Sequence, residues 1–358
     1  MTISAKFEIK YFQYLDPAGK PVAKKLPKVA EDRDEMLRMY RMMSQVRVFD
    51  RKAIALQRTG QLGTYASSLG HEATHVAIGA AMRPEDAFFP MYREYGAQFM
   101  RGVKMEEVLL FWGGDERGND FSGPKHDFPW CVPIATQFHH AVGAAMAYKY
   151  RGEKRVAVSV IGDGGTSQGD FYESLNAAGA WQLPVVFVIA NNKWAISVPL
   201  ELQTRCETLA QKGIAGGIES VQVDGNDIIA MREAMDTALD RARKGKGPTL
   251  IEAVTYRLSD HTTADDARRY RKQEEVAEAE AKEPLIRIRN WLIEKKWWSQ
   301  KEEDKLLEEC ATKVDEAVKT YLATGKPPVE SMFDHLFVNM PDSLRAQRDI
   351  ATDQAEES

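Results

Sequence analysis

The sequence has few cysteines, no long apolar run and no excess of basic residues. Its three cysteines, Cys131, Cys206 and Cys310, are far apart and cannot all pair, which argues against a disulfide framework and for a reducing compartment. No apolar run approaches the roughly 20 residues that span a bilayer, and the first residues lack the apolar core of a secretory signal. We therefore expect no membrane partner, and the cytoplasm is the simplest location.

The charge balance excludes a further class of partners. The formal net charge is -5, and the run of Lys24, Lys25 and Lys28 is too short to form a basic face. Dedicated nucleic-acid binders normally carry such a face. With 358 residues, of which 44% are hydrophobic and 28% charged, the chain has the composition of a globular protein with a full core. We expect a folded enzyme that does not bind nucleic acid.

Short β-branched runs alternate with Ala- and Gly-rich stretches between about residues 70 and 260. Val156 to Ile161 and Val185 to Ala190 are continuous apolar runs, which is the pattern of strands buried on both faces of a parallel sheet. Later strands are predicted at 221–223 and 249–255. The alternation predicts an α/β fold with a doubly wound, mostly parallel sheet.

Three regions are predicted along the chain. An N-terminal arm covers residues 1–30, an α/β domain covers 31–275, and a helical C-terminal extension covers 276–358 and ends in a mobile acidic tail from Thr352. Within the arm, Phe7 to Leu15 has the pattern of a strand before a turn, so the arm is expected to be a small hairpin.

Polar motifs follow two of the predicted strands where each strand ends. The first motif consists of Gly162, Asp163, Gly164 and Gly165. The second is Asn191 and Asn192, and the 26 residues between Gly164 and Asn191 are enough for one helical crossover between parallel strands. We therefore expect Asp163 and Asn192 to lie side by side at the carboxyl ends of adjacent strands, where open α/β sheets bind ligands.

Magnesium suits this pair of side chains. It prefers oxygen ligands in octahedral geometry and is usually held by one or two protein carboxylates, water and phosphate oxygens. The glycines let the backbone approach a diphosphate, and the amino end of the following helix adds a favourable dipole. The plain alternative is a tight turn in which Asp163 only caps the helix. The motifs predict an enzyme that holds the diphosphate of a magnesium-bound cofactor.

Residues 162–192 resemble the thiamine diphosphate signature, and the chain from about residue 7 to 350 resembles the α subunits of the E1 components of 2-oxo acid dehydrogenase complexes. Other matching motifs are GHEATH (70–75), YREYG (92–96), NNKWAIS (191–197), VDGND (223–227) and TYRLSDHTTADDARRYR (255–271). The resemblance implies the thiamine diphosphate-binding fold, thiamine diphosphate with Mg2+, and oxidative decarboxylation of a 2-oxo acid. It also implies two partners, an E1 β subunit in an α2β2 heterotetramer and an E2 lipoyl acyltransferase. Since the glutamate that activates the cofactor resides on the β chain in this family, this chain is expected to be inactive alone.

The resemblance also assigns roles to single residues. Asp163 and Asn192 would be side-chain magnesium ligands, and Trp194 would supply a backbone carbonyl. His261 would be catalytic, stabilising or protonating cofactor-bound intermediates, a task suited to a group that titrates near neutrality. An arginine forked onto the diphosphate also fits the chemistry. The implied cofactor-binding residues are Tyr92, Arg93, Pro133, Ile134, Gly162, Asp163, Gly164, Gly165, Asn192 and His261.

The sequence also departs from the family pattern. Ala190 stands where branched-chain relatives carry an arginine, so phosphate neutralisation must depend more on Arg93 and the metal. Trp194 replaces the commoner tyrosine, which a backbone ligand should tolerate. Thr262 lies where mitochondrial relatives carry a phosphorylated serine. Potassium binding is implied where branched-chain relatives have it, at Cys131, Pro133, Thr136 and Gln137.

The substrate is left open between two classes. The stretch CETLAQKGIAGGI (206–218) and the N-terminal arm are similar to the bacterial pyruvate type, which we favour. The alternative is a branched-chain 2-oxo acid, indicated by VPIATQ (132–137), HTTADD (261–266) and the pair Trp297 and Trp298.

Three other functions compete with this interpretation. His71, Glu72 and His75 form the HExxH pattern of a zinc peptidase, although no longer metal motif completes it. A dinucleotide dehydrogenase is disfavoured because GDGGTS departs from GxGxxG and asparagines, not an acidic residue, end the next strand. A non-catalytic subunit that kept the fold is disfavoured by the intact Asp163, Asn192, Arg93 and His261.

Overall fold

The computed structural model describes residues 1–356, whose main sheet has six strands covered by helices on both faces. The strands of the chain are β1 (Lys10–Phe12), β2 (Ala87–Phe89), β3 (Ala157–Gly162), β4 (Val185–Asn191), β5 (Trp194–Ala195), β6 (Val198–Pro199), β7 (Glu219–Asp224) and β8 (Thr249–Val254). The order across the main sheet is β1-β7-β8-β4-β3-β2, and all neighbouring strands are parallel. β5 and β6 form a separate antiparallel pair. The predicted α/β class with a doubly wound, mostly parallel sheet is confirmed.

Helices precede, connect and follow the strands. They are α1 (Arg33–Arg58), α2 (Glu72–Ala81), α3 (Tyr95–Arg101), α4 (Met105–Trp112), α5 (Thr136–Arg151), α6 (Gly169–Ala180), α7 (Leu200–Gln203), α8 (Lys212–Ala215), α9 (Ile228–Arg243), α10 (Gln273–Glu280), α11 (Pro284–Glu294), α12 (Gln300–Ala323) and α13 (Asp342–Glu356). Short 3-10 turns lie at Lys28–Glu31, Glu116–Asn119, Gly164–Ser167, Leu209–Gln211, Ala267–Arg269 and Val329–Met332. Of the helices in the described chain, none combines the length and apolar character needed to cross a membrane.

The central strands are apolar on both faces because each face packs against helices. In β4, Val186 and Val188 join a core formed with α1, α2 and α9. Phe187 and Ile189, which alternate with them, join a second core formed with α5 and α6. Side chains along a strand point to opposite faces in turn, so two cores require an unbroken apolar run. The runs in the sequence therefore predicted the two central strands correctly.

The N-terminal arm differs from the expected hairpin. Its strand is limited to β1, which pairs in parallel with β7 and so forms one edge of the main sheet. Asp227 holds the arm, because its Oδ2 accepts hydrogen bonds from the backbone N–H groups of Tyr14 and Leu15 at 2.6 and 2.7 Å. Only an isolated antiparallel bridge between Leu15 and Pro21 resembles a hairpin. The local sequence of the arm could not predict this carboxylate partner, which lies more than 200 residues later in the chain.

The C-terminal region ends in a helix. The tail predicted to be mobile from Thr352 is helical as far as residue 356, where α13 ends. Residues 357 and 358 lie outside the described residues. The division of the chain into arm, α/β domain and extension stays a prediction.

A buried ion-pair network joins α1 to two other helices. Arg47 Nε lies 2.5 Å from Glu72 Oε1, and Arg47 Nη2 lies 2.7 Å from Glu283 Oε2. We expect Arg47→Met to lower the free energy of unfolding by about 3–5 kcal/mol, because it leaves two buried carboxylates without their cation. Urea unfolding measures this loss. Lys52→Met on the same helix, which breaks an exposed pair with Asp315, should cost less than about 1 kcal/mol, and equal losses in the two variants would contradict the prediction.

Candidate active site

The register of β3 and β4 brings the two predicted metal ligands together. Gly162 pairs with Ala190, so the residues that follow, Asp163 and Asn192, leave adjacent strands at the same edge. Both side chains are buried, at 1% and 7% exposure. The backbone N–H of Asn192 is among the groups that lower the pKa of Asp163, against the larger effect of burial. Asp163 and Asn192 therefore follow the carboxyl ends of adjacent strands, as the order of the strands predicted.

The Asp163 carboxylate is only half satisfied within the protein. Its Oδ2 accepts a hydrogen bond from Gln203 Nε2 at 2.7 Å, whereas its buried Oδ1 has no partner. Burial raises the pKa of Asp163, and the hydrogen bond from Gln203 opposes that shift. A buried carboxylate oxygen without a partner is costly. The arrangement therefore suits a cation bound at this oxygen.

Asp163 and Asn192 face a cavity of about 490 Å³. Its walls come from the ends of β3 and β4, from β5 and from the loops that carry Arg93 and His261. The lining residues are Thr64, Met91, Tyr92, Arg93, Trp112, Val132, Ile134, Gly162, Asp163, Gly164, Gly165, Gln168, Asn192, Trp194, Ala195, Ile196, His261 and Thr262. Most of the predicted cofactor-binding residues therefore share one cavity. Pro133 is not among the lining residues.

Two buried guanidinium groups give this region positive charge. Arg93, at 3% exposure, donates from Nη1 to the carbonyl of Ser67 and from Nη2 to the carbonyl of His261 at 3.0 Å. Arg257, at 0% exposure, donates from Nη2 to Ile196 O at 2.8 Å and to the hydroxyl of Tyr270 at 2.7 Å. These acceptors are neutral, so an anion in the cavity would be attracted by charges that the protein neutralises only in part.

His261 does not titrate near neutrality in these surroundings. Burial lowers its pKa to about 4, and the charges of Arg93 and Arg257 contribute to this shift, while Asp265 opposes it. Arg93 Nη2 lies 3.4 Å from His261 Nδ1. A guanidinium can only donate, so Nδ1 is the acceptor and Nε2 carries the proton. The expected role of His261 must therefore be that of a neutral imidazole with one N–H donor.

The loop after β4 has a tightly constrained backbone. Lys193 and Ile196 have φ angles of 74° and 54°, which side-chain-bearing residues rarely adopt. A Cβ added at Gly164 would lie 2.5 Å from the Cβ of Ala195, so glycine is required where the two loops meet. The carbonyl of Trp194, the third predicted metal ligand, lies 3.4 Å from Arg257 Nη1.

The predicted potassium residues are engaged with the protein itself. The thiol of Cys131 donates to the carbonyl of Pro133 at 3.4 Å, and Gln137 Nε2 donates to Val160 O at 2.7 Å. Thr136 begins α5. Gln137 Oε1 is buried without a partner, and the potassium site stays a prediction.

The HExxH residues do not form a zinc site. The carboxylate of Glu72 is held by Arg47 and by the backbone N–H of Gly70 at 3.0 Å. The imidazoles of His71 and His75 stack with centroids 5.3 Å apart, and both are fully buried. Of the described residues, the one group with the geometry of three metal ligands is His139, Asp170 and Glu173. The zinc peptidase alternative is therefore wrong.

Acid should destabilise the fold through buried histidines. Burial lowers the pKa of His75 to about 3, whereas an unfolded histidine titrates near 6.5. Because the unfolded chain binds the proton more readily, protonation of His75 favours unfolding. The contribution of neutral His75 to the free energy of unfolding is complete above about pH 6.5 and is lost as the pH falls toward 3. At pH 5 the loss is about 2 kcal/mol. Urea unfolding from about pH 7.5 to 5 should show this decrease in the free energy of unfolding. In His75→Leu the decrease should be smaller by about 2 kcal/mol. An unchanged pH profile in His75→Leu would refute the assignment.

Comparison with known proteins identifies the family. Residues 40–330 match the dehydrogenase E1 component family. The chain belongs to this family. It is 43% identical over 335 residues to the pyruvate dehydrogenase E1 component subunit alpha of Acholeplasma laidlawii, covering 93% of this chain and 96% of that protein. The proteins of the same name from Staphylococcus aureus strain Mu50 and Bacillus subtilis strain 168 are 40% and 39% identical, covering 97% and 95% of this chain and 93% and 92% of theirs.

The dehydrogenase E1 component family consists of thiamine diphosphate-dependent oxidoreductases, and the residues of this chain fit that cofactor. The orphaned Oδ1 of Asp163 suits a divalent ion, and the charge of Arg93 suits a diphosphate. Neither Arg257 nor Gln203 was predicted as a site residue, and His71 was named only in the motifs GHEATH and HExxH. Arg257 lies in the segment 255–271 that resembles the family, but no local signal marks it as buried. Gln203 and His71 reach the site only through tertiary contacts.

Proposed function

We propose that this chain is the α subunit of a pyruvate dehydrogenase E1 component. It would decarboxylate pyruvate with thiamine diphosphate and Mg2+ and transfer the acetyl group to the lipoyl group of an E2 acyltransferase. The observation that carries the proposal is the buried Asp163 carboxylate, whose Oδ1 has no partner, beside Asn192 in a cavity that also contains Arg93 and His261. Similarity to bacterial proteins named for pyruvate supports this substrate over branched-chain 2-oxo acids.

The side chains have distinct tasks in this proposal. Asp163, Asn192 and the Trp194 carbonyl would hold Mg2+, since all three offer oxygen ligands at one edge of the cavity. Tyr92 and Arg93 would hold the diphosphate, together with Ile134 and the glycines at 162, 164 and 165. When bound, thiamine diphosphate supplies the carbanion that adds to the 2-oxo acid and takes up the electrons released with CO2.

His261 would act as a hydrogen-bond donor in the reaction. Its Nδ1 is turned to Arg93, so its Nε2–H is the group available to the substrate. A donor fixed before the reaction stabilises a developing negative charge on the substrate oxygen without reorganisation. Burial and the charges of Arg93 and Arg257 lower the pKa of the imidazole and keep it neutral, so it would not need to lose a proton before it binds substrate.

The partners in this proposal are an E1 β subunit and an E2 lipoyl acyltransferase. We expect the chain alone to be inactive and the chain reconstituted with E1 β to decarboxylate pyruvate faster than 2-oxoisovalerate. Decarboxylation rates with both substrates, measured with and without E1 β, provide the test. Full activity of the chain alone would refute the partner assignment. A higher kcat/KM for 2-oxoisovalerate would replace pyruvate by the branched-chain class.

A further inference from the structure

The fully buried His71 contacts a proposed metal ligand. Its Nε2 lies 3.1 Å from the side-chain nitrogen Nδ2 of Asn192. The backbone of His71 is fixed as well, because its N–H donates to Ser68 O at 2.9 Å and its carbonyl accepts from the N–H of His75 at 3.0 Å, at the N-terminal end of α2. The preceding Gly70 has φ +95°, and a Cβ there would lie 2.3 Å from Tyr256 O. The backbone at His71 is therefore fixed, and this fixes the position from which its side chain reaches Asn192.

The orientation of the Asn192 amide follows from its two neighbours. The side-chain Oδ1 of Asn192 lies 3.1 Å from the backbone nitrogen of Trp194, which can only donate. If the amide were rotated by half a turn, its NH2 group would face this N–H. The oxygen must therefore lie toward Trp194, and the NH2 group must donate to His71. The Nε2 of His71 is the acceptor, so its proton resides on Nδ1.

We propose that His71 is a positioning residue that fixes the Asn192 amide so that its oxygen, and not its nitrogen, is offered to a divalent cation. The inference rests on the proposed function, because it takes Asn192 as a ligand of Mg2+. The amide oxygen has two lone pairs, so it can accept from Trp194 and still bind the ion. Without an acceptor on the other side, the NH2 group loses its only side-chain partner and the amide can rotate.

A purely structural role explains His71 less well. Its Nδ1 is buried without a hydrogen-bond partner, and a buried N–H without an acceptor is costly. An apolar residue would fill the same space among the buried side chains of α2 without that cost. Its neighbour on α2, His75, is equally buried and has no partner at either nitrogen. His75 therefore supplies a matched control that lacks the contact with Asn192.

The test is the Mg2+ concentration needed for thiamine diphosphate binding, measured by calorimetry on the full chain reconstituted with E1 β. His71→Leu should raise this concentration by at least about tenfold, because loss of a partner that orients a metal ligand typically costs about 10–100-fold in affinity. His71→Gln, which keeps an acceptor oxygen, should stay within about threefold of the wild type, as should His75→Leu. An unchanged His71→Leu, or a His71→Gln as impaired as His71→Leu, would overturn the proposal.

A second measurement does not depend on any variant folding. In the full-length wild-type chain labelled with 15N-histidine, we expect His71 to show a protonated Nδ1 and an unprotonated Nε2 at neutral pH. A proton on Nε2 would refute the hydrogen bond on which the inference depends. If the wild type bound thiamine diphosphate without Mg2+, the proposed function would fail, while the tautomer measurement would still decide the contact between His71 and Asn192.

Discussion

Asp163→Asn should abolish Mg2+-dependent binding of thiamine diphosphate. The substitution keeps the size of the side chain and an oxygen that can accept from Gln203. It removes the negative charge and leaves Asn192 and the Trp194 carbonyl as the remaining proposed ligands, which are neutral. We expect affinity to fall by more than about 100-fold, because loss of a partner outside the coordination sphere alone costs about 10–100-fold. Isothermal titration calorimetry with Mg2+ and thiamine diphosphate measures the loss.

Loss of binding must be separated from loss of folding. Burial raises the pKa of Asp163, so the folded protein disfavours its charged form. The neutral amide introduced by Asp163→Asn should therefore leave the free energy of unfolding unchanged or slightly raised. Asp170→Asn, in the first turn of α6 and outside the cavity, should affect neither quantity. Retention of Mg2+-dependent binding in Asp163→Asn would refute the metal assignment.

The sequence predicted the parts of the site that depend on local pattern. The apolar runs of β3 and β4 and the length of the segment between them were enough to place Asp163 beside Asn192. This worked because two adjacent parallel strands joined by one crossover have a fixed direction and neighbour relation. The glycines next to Asp163 were predicted to let the backbone approach a diphosphate. Their second task, the close contact of Gly164 with Ala195 on the neighbouring loop, was not predicted.

The sequence could not predict the contacts that cross the fold. Gln203 reaches Asp163 from a short helix 40 residues later in the chain, and His71 reaches Asn192 from 121 residues earlier. Residues separated by 40 or 121 positions leave no periodic pattern in the sequence that would predict their contact. The low pKa of His261 was missed for a similar reason. It depends on burial and on Arg93, which lies on another loop, whereas the sequence led us to expect a histidine that titrates near neutrality.

His261→Ala should separate turnover from cofactor binding. Arg93 contacts the backbone carbonyl of His261 at 3.0 Å, and alanine retains this carbonyl. Arg93 therefore keeps its main anchor, and the affinity for thiamine diphosphate should change by less than about threefold. The lost Nε2–H should lower kcat by about 10²–10³-fold, the range for removal of one preorganised hydrogen-bond donor to a developing negative charge. Pyruvate decarboxylation by the assembly with E1 β and calorimetry of cofactor binding measure the two effects.

The pattern of losses distinguishes a catalytic from a structural histidine. If His261 only supported Arg93, His261→Ala and Arg93→Met would weaken cofactor binding alike, and kcat at saturating cofactor would recover. If His261 donates a hydrogen bond to the reacting substrate, saturation with cofactor should not restore kcat in His261→Ala. His139→Ala, which removes an exposed histidine outside the cavity, should leave both quantities unchanged. His261→Asn keeps an N–H donor of shorter reach and should recover part of kcat, as expected for a group whose task is donation and not proton exchange.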